Sequence, residues 1–176
     1  GNISQDRLEN CINSDLANNF GNLCQRVTAF AAKNCGGKIP ENIEFTKDDL
    51  LILDKYKNNL NKIRSEIDNQ NINYYIDYII NSLFEANKYF NDQEPWKMKN
   101  DPVRLDTIVY TTLEIVRKVS FLLFPIIPES SLKALKIFSL EEKDIKLSSI
   151  EENDYLIKGK KINKINILFN KIEKND

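Results

Sequence analysis

The sequence predicts an all-α fold, a helical bundle followed by an irregular C-terminal tail. Apolar residues recur at spacings of three and four along five separate stretches, which is the period that keeps them on one face of a helix. Five glycines and five prolines in 176 residues are few, as long helices with short connections require. Hydrophobic residues at 41% and charged residues at 29% are ordinary for a globular protein of this length, which can bury one core. The expected organisation is a bundle over residues 1–138 and an extension over 139–176.

The first helix is expected from about Ser4 to Asn34, with Leu8, Ile12, Leu16, Phe20, Leu23, Val27 and Phe30 on its buried face. Cys35-Gly36-Gly37-Lys38-Ile39-Pro40 ends it, first by backbone permissiveness and then by proline. Thr46 caps a second helix, with Asp48 and Asp49 in its first turn and Leu50, Leu53, Leu60, Ile63 and Ile67 turned inward. That helix ends near Asn69-Gln70-Asn71. A third, from about Ile72 to Asn91, buries Ile72, Ile76, Ile79, Leu83 and Phe90 and forms a hairpin with the second.

Asn91-Asp92-Gln93-Glu94-Pro95 breaks the third helix, because proline has no amide donor and disfavours helical geometry in the residue before it. Asp101-Pro102 caps a fourth helix with Leu105, Ile108, Val109, Thr112, Ile115, Val116, Val119 and Leu123 inward, and Pro125 stops it. Glu114 and Arg117 on this helix read as an ordinary intrahelical ion pair worth a few tenths of a kcal/mol. Pro128 opens a short helix to about Phe138. The charged stretch Glu141 to Asp154 reads as a linker or solvated excursion, and no regular period covers Tyr155 to Glu173.

Composition removes several classes of function. A net charge of −1 excludes a whole-surface basic binder, since non-specific nucleic-acid affinity comes from lysines and arginines neutralising phosphates, so any RNA contact is local and DNA is not an expected partner. The longest apolar runs, Ile76 to Phe84 and Val119 to Ile127, fall short of a membrane span. No histidine is present, and Cys11, Cys24 and Cys35 lack close pairing, so no metal site is expected; isolated thiols fit a cytoplasmic protein. Cys24 is placed on the first helix near the core.

Beside the apolar stripe of the first helix, Asn18, Asn22 and Arg26 form a row of period four, two amides and a guanidinium pointing together. Spacing alone favours the satisfied, half-exposed polar edge of a bundle helix. The single tryptophan, Trp96, follows the break at Pro95, where it is either rim packing or a stacking platform.

A wider pattern bears on that choice. Asn13-x-Asp15-Leu16-Ala17-Asn18-x-x-Gly21-Asn22-Leu23-x-x-Arg26 resembles the motif that opens the anticodon-binding domain of methionyl-tRNA synthetases. Asn87-Lys88-Tyr89-Phe90 with Pro95-Trp96, then Leu113-Glu114-x-x-Arg117 with Leu122-Leu123-x-Pro125-x-x-Pro128, resemble later blocks of the same family. Gly159 with Leu168-Phe169-x-x-Ile172-Glu173 resembles its closing peptide, so four blocks in order cover nearly the whole chain.

The resemblance implies the anticodon-binding helical bundle of class I aminoacyl-tRNA synthetases. It implies that Asn22, Arg26 and Trp96 recognise the anticodon CAU, chiefly its cytosine, with Pro95 fixing the ring and Asp15 and Asn18 supporting by packing and hydrogen bonding. It also implies a methionine tRNA as partner, together with the catalytic domain of the same polypeptide, toward which the peptide around Phe169 packs back. A lysine often found four residues after the tryptophan is Asn100 here, with Lys97 and Lys99 nearby.

Without histidine the chain has no His-Ile-Gly-His signature, and it has no Lys-Met-Ser-Lys-Ser or glycine-rich phosphate loop. ATP and magnesium are therefore expected in the parent enzyme's catalytic domain and not in this chain, which alone should be inactive. The alternatives are the anticodon domain of an isoleucine, valine, leucine or cysteine synthetase, or a non-enzymatic helical interaction module.

Overall fold

The computed structural model describes the backbone of residues 2–69 and 71–164, with side chains described for 13–56, 61–62, 64–66, 68–69, 71 and 73–164. The architecture is all-α: α1 (Asn2–Asn34), α2 (Lys47–Asp68), α3 (Ile72–Gln93), α4 (Pro102–Leu123) and α5 (Pro128–Leu135). Short 3-10 turns follow at Pro95–Lys97, Lys136–Phe138, Glu142–Asp144 and Leu147–Glu151.

The centre of the molecule is α4. Asp101 caps it by accepting the Arg104 amide at 3.2 Å, and Pro102 occupies the first helical position, where a missing N–H costs nothing. From Thr107 to Leu123 every side chain is buried, because α1, α2, α3 and α5 all pack around it. A helix covered on all sides must bury its polar residues too, so their partners decide its stability.

On α1, Leu16, Phe20, Leu23, Cys24 and Val27 form the inward face. The expected contributions of Leu8 and Ile12 lie outside the described side chains, as do those of Leu60, Ile63, Ile67 and Ile72. The α2–α3 pair is antiparallel, as the contacts Asp49–Tyr89, Lys55–Glu85 and Tyr56–Tyr78 show. Leu50 departs from the expected stripe and is 39% exposed. Asp49 takes the inward position, to meet Arg104 and Tyr89, and this turns its neighbour outward. Thr46 and Asp49 also cap α2 reciprocally, each side chain accepting the other's amide, at 2.9 and 3.3 Å.

One further reading is refined and another is corrected. The fifth helix ends at Leu135 and tightens into a 3-10 turn through Phe138, closed by Ser139 in the left-handed region. Most of Glu141–Asp154 is exposed as expected, but it is no free excursion, since Leu147–Glu151 packs on α2 and α4 with Ser149 and Ile150 buried.

The pair Glu114 and Arg117, read as an ordinary intrahelical ion pair, is wholly buried and anchors this stretch. Arg117 donates to Glu114 at 2.7 Å and to the carbonyls of Ser149 and Glu152 at 2.9 and 2.7 Å, while its guanidinium lies 4.4 Å from the Tyr155 ring centre. Glu114 accepts the Tyr155 and Leu156 amides at 3.1 and 2.7 Å. The chain then returns to the end of α1, where Ile39 exchanges backbone hydrogen bonds with Lys160 and Gly159. Gly159 has φ +82°, a left-handed conformation that selects glycine, whereas the Glu41 carboxylate nearest an added Cβ ends a flexible, exposed side chain that can move aside. The closing peptide around Phe169 lies outside the described residues.

Candidate nucleic-acid interface

Two segments far apart in sequence build one surface. The first is the solvent face of α1, where Asn18, Asn22 and Arg26 are all exposed above the buried stripe. The second is the connection from α3 to α4. Glu94 ends α3 in the left-handed region with φ 48°, and Pro95 starts a 3-10 turn held by Lys97 and Met98 amides bonded to the Glu94 and Pro95 carbonyls. Pro95 is buried, while the Trp96 ring beside it is 42% exposed.

Phe90, buried near the end of α3, joins the two. The Arg26 guanidinium carbon sits 5.2 Å from the Phe90 ring centre, a cation–π contact. The Trp96 ring meets Phe90 in a T-shaped arrangement at 6.1 Å, and Phe30 does so at 5.8 Å. Arg26 is also held in its own plane: Nη2 donates to the Asn91 Oδ1 at 2.7 Å and Nη1 to the Asn87 Oδ1 at 3.4 Å. The structure thus brings Arg26 and Trp96 onto one aromatic base, with Asn22 one turn earlier on α1.

Asp15 and Asn18 are solvent-exposed rather than packed between helices. They lie where a row with period four leaves the core. Lys97 is engaged by Glu94 at 2.7 Å, whereas Lys99 is exposed.

Behind the surface, a buried network fixes both ends of the Trp96 connection. Arg104 at the start of α4 makes a bidentate contact to Asp49 at 2.7 and 3.0 Å and donates to Gln93 of α3 at 2.7 Å, while the Tyr89 hydroxyl donates to Asp49 at 2.6 Å. Burial alone would raise the Asp49 carboxyl, but hydrogen bonds from Arg104 and Tyr89 hold it below its ordinary range. The Arg104 guanidinium is pushed up by the same partner.

Sequence reasoning missed Asn91, Asp49 and Arg104 as parts of this arrangement and gave Asn87 and Phe90 no role in it. The one signal available was that Asn87, Phe90 and Asn91 stand at i, i+3 and i+4 on a single helix.

The described residues hold no group of three or more Cys, Asp or Glu able to bind a metal, and none of their helices is long and apolar enough to cross a membrane. Burial raises the Cys24 thiol strongly, and burial together with Asp106 pushes Cys35 up to about 12, so neither is a ready nucleophile or ligand.

Residues 39–176 match the family model described as the anticodon binding domain of methionyl tRNA ligase. The chain belongs to this family. It is 41% identical over 147 residues to methionine–tRNA ligase of Mycobacterium leprae, covering 81% of this chain and 27% of that protein. The match to the Brucella suis enzyme is 40% over 141 residues, covering 80% of this chain and again 27% of the relative. The apo crystal structure of Mycobacterium tuberculosis methionyl-tRNA synthetase superposes with a TM-score of 0.82 at 30% identity, over 94% of this chain and 34% of that one.

The chain thus spans about a quarter of the length of these curated relatives. The other synthetase families and the interaction module are not favoured. Trp96 falls within the matched region of the anticodon-domain family, and Asn22 and Arg26 precede it on α1.

Proposed function

We propose that this domain recognises the CAU anticodon loop of a methionine tRNA, with Arg26, Asn22 and Trp96 reading its cytosine. The observation that carries the reading is an exposed guanidinium held beside a half-exposed tryptophan, both resting on Phe90. An unpaired base needs a face to stack on and donors aimed at its edge. Among the described residues, Asn87 and Asn91 engage one donor on each terminal nitrogen, so the guanidinium keeps further donors for a base. Cytosine presents a carbonyl and an unprotonated ring nitrogen, both acceptors, whereas uracil carries a proton on that nitrogen and opposes a donor. Asn22 supplies one donor side and one acceptor side to the same edge.

Pro95 holds the turn that presents the ring, and Asp15 and Asn18 support at the solvent edge of α1. In the parent protein, a cytoplasmic class I synthetase, the catalytic domain of the same polypeptide uses ATP with magnesium to activate methionine and charge the tRNA. The extension of residues 139–176 leads from the bundle of residues 1–138 back toward that domain.

The test is made in the parent enzyme by comparing tRNA charging with methionine-dependent pyrophosphate exchange. Trp96→Ala is expected to cost ~1–3 kcal/mol in tRNA recognition. Arg26→Gln erodes discrimination between cytosine and other bases more than overall binding. Both leave pyrophosphate exchange nearly intact. An equal fall in both activities, or unaffected charging in either variant, contradicts the proposal.

A further inference from the structure

We infer that Asn91, assisted by Asn87, is a positioning residue that sets the plane of the Arg26 guanidinium and so sets first-base discrimination; this rests on the function proposed above. Arg26 stands on an exposed helix face, where a free arginine samples many rotamers at ~2 kcal/mol of side-chain entropy. Three contacts remove that freedom. Phe90 lies under the guanidinium, Asn91 holds one terminal nitrogen at 2.7 Å, and Asn87 takes the other at 3.4 Å. Asn87 is itself oriented, because its Nδ2 donates to the Leu83 carbonyl at 3.1 Å and this fixes its oxygen toward Arg26.

The choice of amides matters. A carboxylate at position 91 would also hold the guanidinium but would cancel its charge, weakening attraction to a polyanion. An amide oxygen accepts a hydrogen bond and leaves the positive charge for the RNA. Asn87 and Asn91 lie one turn apart on α3, so together they brace both terminal nitrogens of one guanidinium that comes from α1.

The experiment measures binding of anticodon stem-loops carrying CAU or UAU to the parent enzyme and its Asn91→Ala, Asn91→Asp, Arg26→Gln and Arg26→Gln/Asn91→Ala variants, with circular dichroism as a control for folding. Asn91→Ala is expected to lower the CAU-to-UAU affinity ratio about tenfold, the scale of a hydrogen bond to a charged group. It should add nothing in the Arg26→Gln background, since both changes remove the same interaction. Asn91→Asp keeps the acceptor and should retain the ratio, while both affinities fall and the salt dependence becomes shallower by about one ion.

An unchanged ratio in Asn91→Ala beside a collapsed one in Arg26→Gln overturns the positioning role while leaving the site intact. So does an equal loss in the Arg26→Gln background, or a loss in Asn91→Asp as large as in Asn91→Ala. An unchanged ratio in Arg26→Gln overturns the proposed site itself.

Discussion

Removing the Glu114 carboxylate tests how the C-terminal segment is joined to the bundle. In Glu114→Ala the Arg117 guanidinium keeps the Ser149 and Glu152 carbonyls but loses its counter-charge, in a place where both side chains are fully buried. Its Nε already has no hydrogen-bond partner, so the group has little slack to re-pair. The Tyr155 and Leu156 amides lose their acceptor at the same time. Breaking a buried pair by removing one partner costs ~3–5 kcal/mol, against ~0.2–0.5 for the same spacing on a solvated helix. A loss near 4 kcal/mol corresponds to a fall in Tm of ~8–16 °C in a domain of this size.

Urea denaturation followed by far-ultraviolet circular dichroism gives the free energy, and limited proteolysis between Glu141 and Lys164 reports whether the segment detaches. Glu114→Met/Arg117→Met should cost less than the sum of the two single changes, because neither charge is left stranded. A loss under ~0.5 kcal/mol in Glu114→Ala would refute the anchoring role, since it matches a solvated pair.

Three other outcomes are expected. Burial, with repulsion from Arg117, pushes the Lys118 ammonium down to about 8; the unfolded chain then binds this proton more tightly from pH 8 up to its ordinary 10.5. Relative to Lys118→Met, in which the thiols and phenols titrate alike, the wild type should gain ~1.4 kcal/mol per pH unit across that window, and a flat difference in urea midpoints would contradict it. Arg104→Met should cost ~3–5 kcal/mol and shift Trp96 emission as the connection between α3 and α4 loosens; unchanged emission would show that the Asp49 network does not set the ring. Because Asp49 is held below its ordinary carboxyl range, its contribution is present at neutral pH and lost as pH falls through its folded-state value, so Asp49→Asn should flatten the acid limb of the stability profile.

The local features of this fold were readable because their causes are local. Thr46, Asp101-Pro102, Pro125 and Pro128 act within a turn of the helix ends they define. The burial of Glu114 and Arg117 was not readable, since their partners lie 32–42 residues later in a stretch whose composition suggests solvent. Leu50 was misplaced because helical period assumes that apolar residues outrank acids for the core, an order reversed at Asp49 by Arg104, 55 residues away. At the candidate interface, the row through Asn22 and Arg26 and the exposed setting of Trp96 followed from spacing and a proline. The amides that hold Arg26 stand 61 and 65 residues away and follow from no local pattern.

The central claim, that Trp96 stacks on the first anticodon base while its neighbours read that base, has a direct optical test. Trp96 is the only tryptophan in this chain, so the emission of the domain reports one ring. Titration with a stem-loop carrying CAU should quench that emission saturably, and a UAU loop should require ~10-fold or higher concentration for the same quench, the cost of ~1–3 kcal/mol for mispaired base-edge donors. Absence of quenching at concentrations where binding is independently observed, or identical curves for the two loops, would contradict it.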